Sequence, residues 1–330
     1  MTTYERAAFK HVARPPSDKV YFNPLDDVGR LVLNHQFMTP QEARVALLDT
    51  TVYSIGAFQD WEEITRQAGF PCAAAQSRVL WVAQATERWK VTFEDLVRRK
   101  ESTWNRAERN ACDAIRLLWH SVRIGTDRHR VGTESGWDTF RANYEDILEI
   151  VERLVGETGI YHDEISRTLT LDTWVMYPLQ TVAWKCRWPH LRRRALDLLL
   201  RIPKHEFIFY VPHYHTICSR IIEIEEACLN LSPGTVPSED QLIPDTARVY
   251  DFSVAASPTM TDEHPLYSIT FMTLPHGTEG APVYHTEPLW LPPPPAGASM
   301  TPFNLMTRRE WSQVGRTNRY AVESLSGVWV

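Results

Sequence analysis

The stretch CRWPHLRRRALDLLLRIP, residues 186–203, decides the fold of the chain around it. Pro189 suits the first turn of a helix, and the apolar residues that follow it recur on one helical face: Leu191, Ala195, Leu198 and Ile202. At about 100° per residue, Arg192 to Arg194 span an arc of roughly 200° outside that face. We therefore predict an amphipathic helix with solvated arginines, of which at most two pair with acidic groups on a neighbouring helix.

Composition argues against a nucleic-acid role for these arginines. The chain has 330 residues, 43% of them hydrophobic, and its formal net charge is −6. That charge repels a phosphate backbone unless lysines and arginines are repeated on one face over several helical turns, and residues 192–194 are a single short cluster. The sequence predicts a globular protein without direct contact to nucleic acid.

Cysteine usage and hydropathy indicate the compartment. Five cysteines occur without a CxxC pair, in apolar segments typical of reduced core thiols: Cys72, Cys112, Cys186, Cys218 and Cys228. The N-terminus has no apolar signal region, and no uncharged run reaches the roughly 18 residues of a membrane-spanning helix. We expect a cytoplasmic protein with no membrane contact.

Helical patterns fill the first two thirds of the chain. Thr39-Pro40-Gln41-Glu42 is a capping-box pattern, and amphipathic periodicity follows over 76–99 and 105–124. A further helix is expected after a cap at 135–138, and a helical pair over 172–202. Asp172 is the predicted cap of that pair, and Pro178 makes its first helix start later or kink.

The pattern changes after the last long helix. There Ile217, Ile221, Ile224 and Cys228 form the predicted buried stripe, and Glu223, Glu225 and Glu226 the solvated one. Alternating apolar residues over 250–254 and 267–271 then predict a small β-hairpin. A polyproline run over 292–295 leads into a tail whose tryptophans suggest that it docks on the body.

We therefore predict a mainly α protein, a multi-helix bundle of packed antiparallel helices with a small C-terminal β-hairpin. Residues 1–27 form an extended leader, and residues 28–242 a helical domain. Residues 243–290 form the β-hairpin appendage of that domain, and residues 291–330 a proline-rich spacer and docked tail.

Five segments resemble one family in their order and spacing. The chain is similar, over about residues 28–275, to the C-terminal helical domain of fungal zinc-cluster transcription factors. The similar segments are TPQEARVALLDTTVYSIGAF (39–58), LLWHSVRI (117–124), PLQTVAWKCRWPHLRRRALDLLLRIPKHE (178–206), RIIEIEEA (220–227) and IPDTARVYDFSV (243–254). The KCR-x-P-x-L-R-R-R-A segment is the most specific of them.

The sequence departs from that family in two places. No six-cysteine motif is present that could hold two zinc ions, so we expect a stand-alone relative without a DNA-reading module. The family usually has a polar turn after its best-matching segment, whereas this chain has EFIFYVPHYHTICSR at 206–220. Such a density of aromatic and imidazole groups is typical of sites for small organic ligands.

No motif for metal, nucleotide or covalent chemistry is found. His213 and His215 point about 200° apart on a helix, and together with His190 and His205 they form no recognisable ligand set. The sequence has no G-x-S-x-G elbow, no P-loop and no GxGxxG motif. We expect no cofactor and no metal.

These observations favour a cofactor-independent cyclase or isomerase of fungal secondary metabolism, for which a Diels–Alder pericyclase is one model. A pocket would fold a hydrophobic terpenoid or polyketide while a side chain polarises an acceptor. The predicted catalytic donors are His213, Tyr214, Tyr177 and His120, and the predicted substrate-binding walls are Trp119, Trp174, Trp184, Phe209 and Tyr210.

Two alternatives stay open at this stage. The first is a transcriptional co-regulator that has no DNA-binding domain of its own, binds a metabolite or partner protein, and acts in the nucleus beside a DNA-binding homologue. The second is an interaction module without a ligand, served by the proline-rich segment and aromatic tail. The partners expected for the enzyme are a hydrophobic small molecule and, left open, a second copy of the chain.

Overall fold

The computed structural model describes residues 36–51, 54, 73–127, 133–156, 169–170, 175–206, 209–232, 234–255, 259–260, 265–277 and 280–293. Its helices are α1 (40–51), α2 (Ala73–Lys100), α3 (Arg106–Asp127), α4 (Arg141–Val155), α5 (Met176–Lys185), α6 (Pro189–Leu199) and α7 (Val211–Glu226). Its strands are β1 (Leu169–Thr170), β2 (His205–Glu206), β3 (Phe209–Tyr210), β4 (Val249–Val254), β5 (Thr259–Met260), β6 (Pro265–Thr273) and β7 (Val283–Trp290). The described chain is mainly helical, as the sequence predicts, and it carries two small sheets. The predicted leader and all but the first three residues of the predicted tail lie outside these ranges.

The helices bury two hydrophobic clusters that share α3. The N-terminal cluster joins α1, α2 and α3 around Trp89, Phe93 and Trp119. The central cluster joins α4, α5, α6, α7 and the C-terminal sheet, and α3 contributes Leu117 and Ile124 to it. Opposite faces of α3 thus pack against different partners, which fixes α2 and α4 on either side of it. Within the described ranges, no helix combines the length and the apolar character required to cross a bilayer.

The predicted start of α1 is confirmed. The backbone N–H of Glu42 donates to the Thr39 hydroxyl at 3.2 Å, and the Glu42 carboxylate in turn accepts from the N–H of Met38 at 2.9 Å. Pro40 follows the cap in the first turn, where its missing N–H leaves no intrahelical bond unmade. These contacts satisfy two donors that a helix N-terminus otherwise leaves open.

The helical pair over 172–202 starts later than Asp172, which lies outside the described residues. Helix α5 begins at Met176, which places Pro178 within its first turn and removes the need for a kink. Helix α6 begins at Pro189 as predicted, and its apolar stripe is buried in the central cluster. The spacing of the apolar residues therefore predicted the packing of α6 correctly.

The prediction that the α6 arginines are solvated is wrong for Arg192. Its side chain is 1% exposed, and its Nη1 lies 2.8 Å from Oε2 of Glu225, a residue of α7 that is itself fully buried. Arg192 is adjacent to the apolar face, so the approach of α7 covers it. All three arginines are paired, where at most two were expected: Arg192 with Glu225, Arg193 with Glu226 at 2.7 Å, and Arg194 with Glu152 at 2.6 Å.

The prediction for α7 is confirmed for Ile217 and Ile221, which are buried, and for Glu223, which is exposed, but it is wrong for Glu225 and Cys228. Its buried face runs through Cys218, Ile221, Ile222 and Glu225, while Cys228 is exposed beyond the end of the helix. A glutamate counted as solvated thus occupies the interior, and a cysteine counted as buried does not. Glu225 therefore lies between Arg187 and Arg192 in the interior and does not face solvent.

A buried ion network joins α5, α6 and α7 to the 3₁₀ helix Glu134–Phe140. It consists of Glu134, Lys185, Arg187, Arg192 and Glu225, each 5% exposed or less. Lys185 Nζ lies 2.9 Å from Glu134 Oε1, and Arg187 Nη2 lies 3.2 Å from Glu134 Oε2 and 3.0 Å from Glu225 Oε1. Burial lowers the pKa of the Lys185 ammonium, and the Glu134 carboxylate opposes that shift. Burial also lowers the pKa of Arg192, so the ion pairs offset the desolvation of these buried charges only in part.

The C-terminal sheet is larger than the predicted hairpin. The expected antiparallel pairing is present, with Phe252 opposite Phe271 and Val254 opposite Ile269 between β4 and β6. Strand β7 adds along the other edge of β6, and the short β5 pairs with the beginning of β6. A second small sheet has the order β1-β2-β3, with β1 and β2 parallel and β2 and β3 antiparallel.

Glu206 connects this second sheet to the start of α5. Its Oε2 accepts hydrogen bonds from the N–H groups of Val175 and Met176, both at 2.9 Å, and so caps the helix from a residue thirty positions away. Burial nevertheless raises the pKa of this carboxyl from its ordinary value of 4.5 to about 8, since the two hydrogen bonds only partly oppose the desolvation.

This pKa shift predicts that Glu206 lowers stability as the pH rises. Between pH 4.5 and about 8 the folded protein retains a proton that the unfolded chain releases, so the free energy of unfolding falls as pH rises. The slope is at most about 1.4 kcal/mol per pH unit. Glu206→Gln, which keeps the acceptor but cannot ionise, should remove this part of the pH dependence in urea denaturation at pH 5, 6, 7 and 8. Glu101→Gln, at an exposed position, should leave the profile unchanged, and an E206Q profile parallel to that of the wild type would contradict the assignment.

Candidate functional site

A cleft opens where α2, α3 and α4 meet, with a volume of about 190 Å³. Its floor is apolar and aromatic and is formed by Trp89, Phe93, Trp119, His120 and Ile150. Its rim is charged and is formed by Lys90, Glu94, Arg116, Asp146, Glu149 and Arg153. Three cations and three carboxylates thus surround a mainly aromatic base.

Trp119 and Lys90 form one wall of the cleft. The indole N–H of Trp119 donates to the backbone carbonyl of Thr86 at 3.0 Å, which fixes the ring between α3 and α2. The Lys90 ammonium lies 4.1 Å from the centre of that ring, a distance typical of a cation–π contact. The ring therefore holds the ammonium at the mouth of the cleft, where a carboxylate of a ligand could pair with it.

His120 is a neutral hydrogen-bond donor at the back of the cleft. Burial, together with the nearby charges of Lys90 and Arg116, lowers the pKa of its imidazole to about 3. Nδ1 lies 3.1 Å from the Asn143 amide nitrogen, which donates to it, so the proton is on Nε2. Nε2 lies 3.8 Å from Oδ2 of Asp146, a carboxyl whose pKa burial raises. The Nε2–H group therefore faces the rim without a close partner in that carboxylate.

The two arginines of the rim are held by ion pairs. Arg116 Nη1 lies 3.1 Å from Asp113 Oδ1 and Arg116 Nε lies 3.4 Å from Glu94 Oε1, while Arg153 Nε lies 2.9 Å from Asp113 Oδ2. Asp113 thus joins α3 to α4 beside the cleft. Because their charge is already compensated, these arginines shape the rim, and Lys90 is the cation best placed to meet a ligand.

Seven of the nine predicted site residues lie in three separate places. Trp119 and His120 are in the cleft. Trp184, Tyr214 and Phe209 belong to the central cluster, where the Trp184 ring centre is 5.0 Å from that of Phe252 and its N–H donates to Val249. His213 and Tyr210 contact the proline-rich segment at residues 292 and 293. Tyr177 is half-buried on α5, and Trp174 lies outside the described residues.

Sequence reasoning missed the charged rim, although its spacing is visible. Lys90 and Glu94 are four apart on α2, Arg116 and His120 four apart on α3, and Asp146, Glu149 and Arg153 share one face of α4. Each pattern by itself is that of an ordinary solvated helix face. Only the packing of the three helices shows that the faces converge.

The histidines form no metal site in the described part of the chain. His190 contacts Glu239, His205 packs against Tyr210 with ring centres 4.8 Å apart, and His213 bonds to a carbonyl group. No group of three or more histidine, cysteine or acidic side chains is arranged to hold a metal ion among the described residues.

Comparison with known proteins identifies no relative: no family model, no curated protein and no solved structure matches the chain.

Proposed function

We propose that the cleft binds a small organic molecule carrying both an acidic and a basic group on a short apolar body, and that this binding regulates transcription. The observation that carries the proposal is the arrangement of Lys90 over Trp119 in the same cleft as the neutral donor His120, with the Asp146 carboxylate 3.8 Å from that donor. The ammonium and imidazole would take the acidic end of the ligand, the carboxylate the basic end, and the tryptophan its apolar body.

The size and polarity of the cleft favour this ligand over a terpenoid or polyketide chain. Pockets that enclose drug-sized ligands measure about 300–1,000 Å³, whereas this cleft measures about 190 Å³. A purely hydrophobic substrate would also remove water from the six charged rim residues without offering them a polar partner, which costs binding free energy.

The regulatory output is inferred from the resemblance to the helical domain of zinc-cluster transcription factors. In this proposal the chain acts in the nucleus as a co-regulator and joins a DNA-binding homologue, because the arginine cluster at 192–194 is held in ion pairs with Glu225, Glu226 and Glu152. Deletion of the gene should then silence the transcripts that it controls.

Lys90→Met is expected to weaken ligand binding at least tenfold, since it removes the only rim cation not held by a carboxylate pair among the described residues. Tenfold corresponds to about 1.4 kcal/mol. The probes are amino acids and short amino carboxylic acids, screened by thermal shift and measured by isothermal titration calorimetry. At about one hundred times its Kd, a true ligand adds about 2.7 kcal/mol of stability.

The matched control is Lys100→Met, which removes a lysine at the end of the same helix and outside the cleft. It should bind each probe as tightly as the wild type. A panel in which no probe binds, or in which the two lysine variants bind equally well, would remove the basis for the proposal.

The cyclase, which is the first function predicted from the sequence, is kept here as the second candidate because two of its predicted residues, Trp119 and His120, line this same cleft. The neutral Nε2–H of His120 could polarise a carbonyl acceptor over the indole face. Deletion would then leave transcripts intact and accumulate an uncyclised precursor. Incubation of that precursor with purified protein tests the cyclase. Ring closure no faster than in buffer would exclude this function, whereas a faster ring closure that is lost in the His120→Phe variant would support it.

A further inference from the structure

The chain holds its own proline-rich segment against a small group of aromatic side chains. Leu291 is 1% exposed and anchors the segment in the central cluster. Pro292 is half-buried and Pro293 exposed, so the segment passes from the core to the surface within three residues. We call the aromatic group formed by Tyr210 and His213, which contact the segment, and by Tyr267, which lies beside the His213 ring, the proline cradle.

The contacts in the cradle are directed at backbone carbonyls. His213 Nε2 lies 2.8 Å from the carbonyl oxygen of Pro292, which can only accept, so the imidazole donates. The Tyr210 hydroxyl donates to the carbonyl of Pro293 at 3.3 Å. The rings of Tyr210 and His213 are nearly perpendicular, 86° apart with centres separated by 5.0 Å, and the Tyr267 ring centre lies 6.3 Å from that of His213.

This arrangement has the chemistry of polyproline recognition. Proline has no N–H, so a proline run can be bound only through its carbonyls and its rings. Every residue from 291 to 293 precedes a proline, which favours extended backbone and leaves little conformational entropy to lose on binding. Aromatic side chains with one donor each are the usual means by which proteins bind such segments.

We propose that the proline cradle is a binding site for a proline-rich segment of a partner protein, occupied in the free chain by Pro292 and Pro293. The partner's segment would present an apolar residue followed by consecutive prolines, the pattern of the segment already bound. The cradle is thus an interaction surface separate from the cleft, and it does not rest on the proposed function.

Exchange between the two segments is favoured by the exposed end of the cradle. The bond from Tyr210 to Pro293 is at the surface, so the chain's own segment can separate from that end while Leu291 stays buried. Burial lowers the pKa of His213 and raises that of Tyr210, which keeps both side chains neutral near pH 7. Because the chain's own segment is tethered, it acts at an effective concentration of the order of millimolar. A free peptide therefore competes with it poorly unless the binding of the internal segment to the cradle is weakened.

The test uses the full chain and the fluorescein-labelled peptide acetyl-LPPPP-amide, followed by fluorescence anisotropy. Replacing Pro292→Gly and Pro293→Gly together weakens the internal segment, and this variant should bind the peptide at least tenfold more tightly than the wild type. Adding His213→Phe should abolish this gain in peptide affinity, because an aromatic ring remains but the N–H group that donates to the proline carbonyl is lost. Adding His215→Phe instead, on the same helix and outside the cradle, should preserve it.

Equal binding by the wild type and the double glycine variant, or an unchanged affinity with His213→Phe, would overturn the proposal. So would equal binding of the peptide acetyl-LAAAA-amide. If circular dichroism shows the double variant unfolded, Pro293→Gly alone serves, because Pro293 is exposed. A wild-type dimer that grows with concentration and is lost on Pro292→Gly would instead identify a second copy of this chain as the occupant.

Discussion

Glu225→Gln is expected to lower the free energy of unfolding by about 3–5 kcal/mol, the usual cost of removing one partner from a buried ion pair. Glu225 is fully buried, its Oε2 lies 2.8 Å from Arg192 Nη1 and its Oε1 lies 3.0 Å from Arg187 Nη2. Oε1 also accepts from the backbone N–H of Val249 at 2.7 Å, which ties α7 to the C-terminal sheet. In the variant, the buried guanidinium groups of Arg187 and Arg192 lose the carboxylate that they share.

Guanidinium chloride denaturation followed by far-ultraviolet circular dichroism measures this loss. The matched control is Glu226→Gln, the next residue, whose pair with Arg193 is partly exposed and should contribute about 1 kcal/mol or less. A double variant, Glu225→Gln with Arg192→Met, removes the uncompensated charge and should recover part of the stability. Equal losses for the two glutamate variants would show that the network is not a desolvated unit.

The sequence predicted the helices well because apolar spacing carries that information. The stripe of Leu191, Ala195 and Leu198 marks the buried face of α6, and the alternation over β4 and β6 marks a paired sheet. The burial of Arg192 could not be predicted from apolar spacing. Its burial depends on Glu225, thirty-three residues later, and a charged residue beside an apolar face is ordinarily solvated.

The candidate site was predicted only in part for a similar reason. Trp119 and His120 were identified as large amphipathic residues on α3, but the side chains that complete the cleft come from α2 and α4. Periodicity describes one helix at a time and does not specify which helices are neighbours. The cradle shows the same limit, because the aromatic stretch at 207–215 and the prolines at 292–295 are both conspicuous, yet the bond between His213 and Pro292 joins residues 79 apart.

Trp89→Ala is expected to cost about 3–5 kcal/mol in the free energy of unfolding, as a large cavity opens in the N-terminal cluster. Trp89 is fully buried, its ring stacks on Phe93 with centres 4.8 Å apart, and its N–H donates to the carbonyl of Ala43 at 2.8 Å. That bond joins α2 to α1, so the variant loses packing and a contact between two helices. Guanidinium chloride denaturation of wild type and variant measures the loss.

Trp89→Phe separates these two contributions. It retains an aromatic ring against Phe93 but leaves the Ala43 carbonyl without its donor, and should cost about 1–2 kcal/mol. Because Trp89 also forms part of the floor of the cleft, the alanine variant should lose probe binding at temperatures where it is still folded, whereas the phenylalanine variant should keep most of it. Similar destabilisation by both variants would show that the hydrogen bond, rather than the packing of the ring, holds α1 on α2. Full probe binding by folded Trp89→Ala would show instead that ligand binding does not depend on Trp89 as a support of the floor.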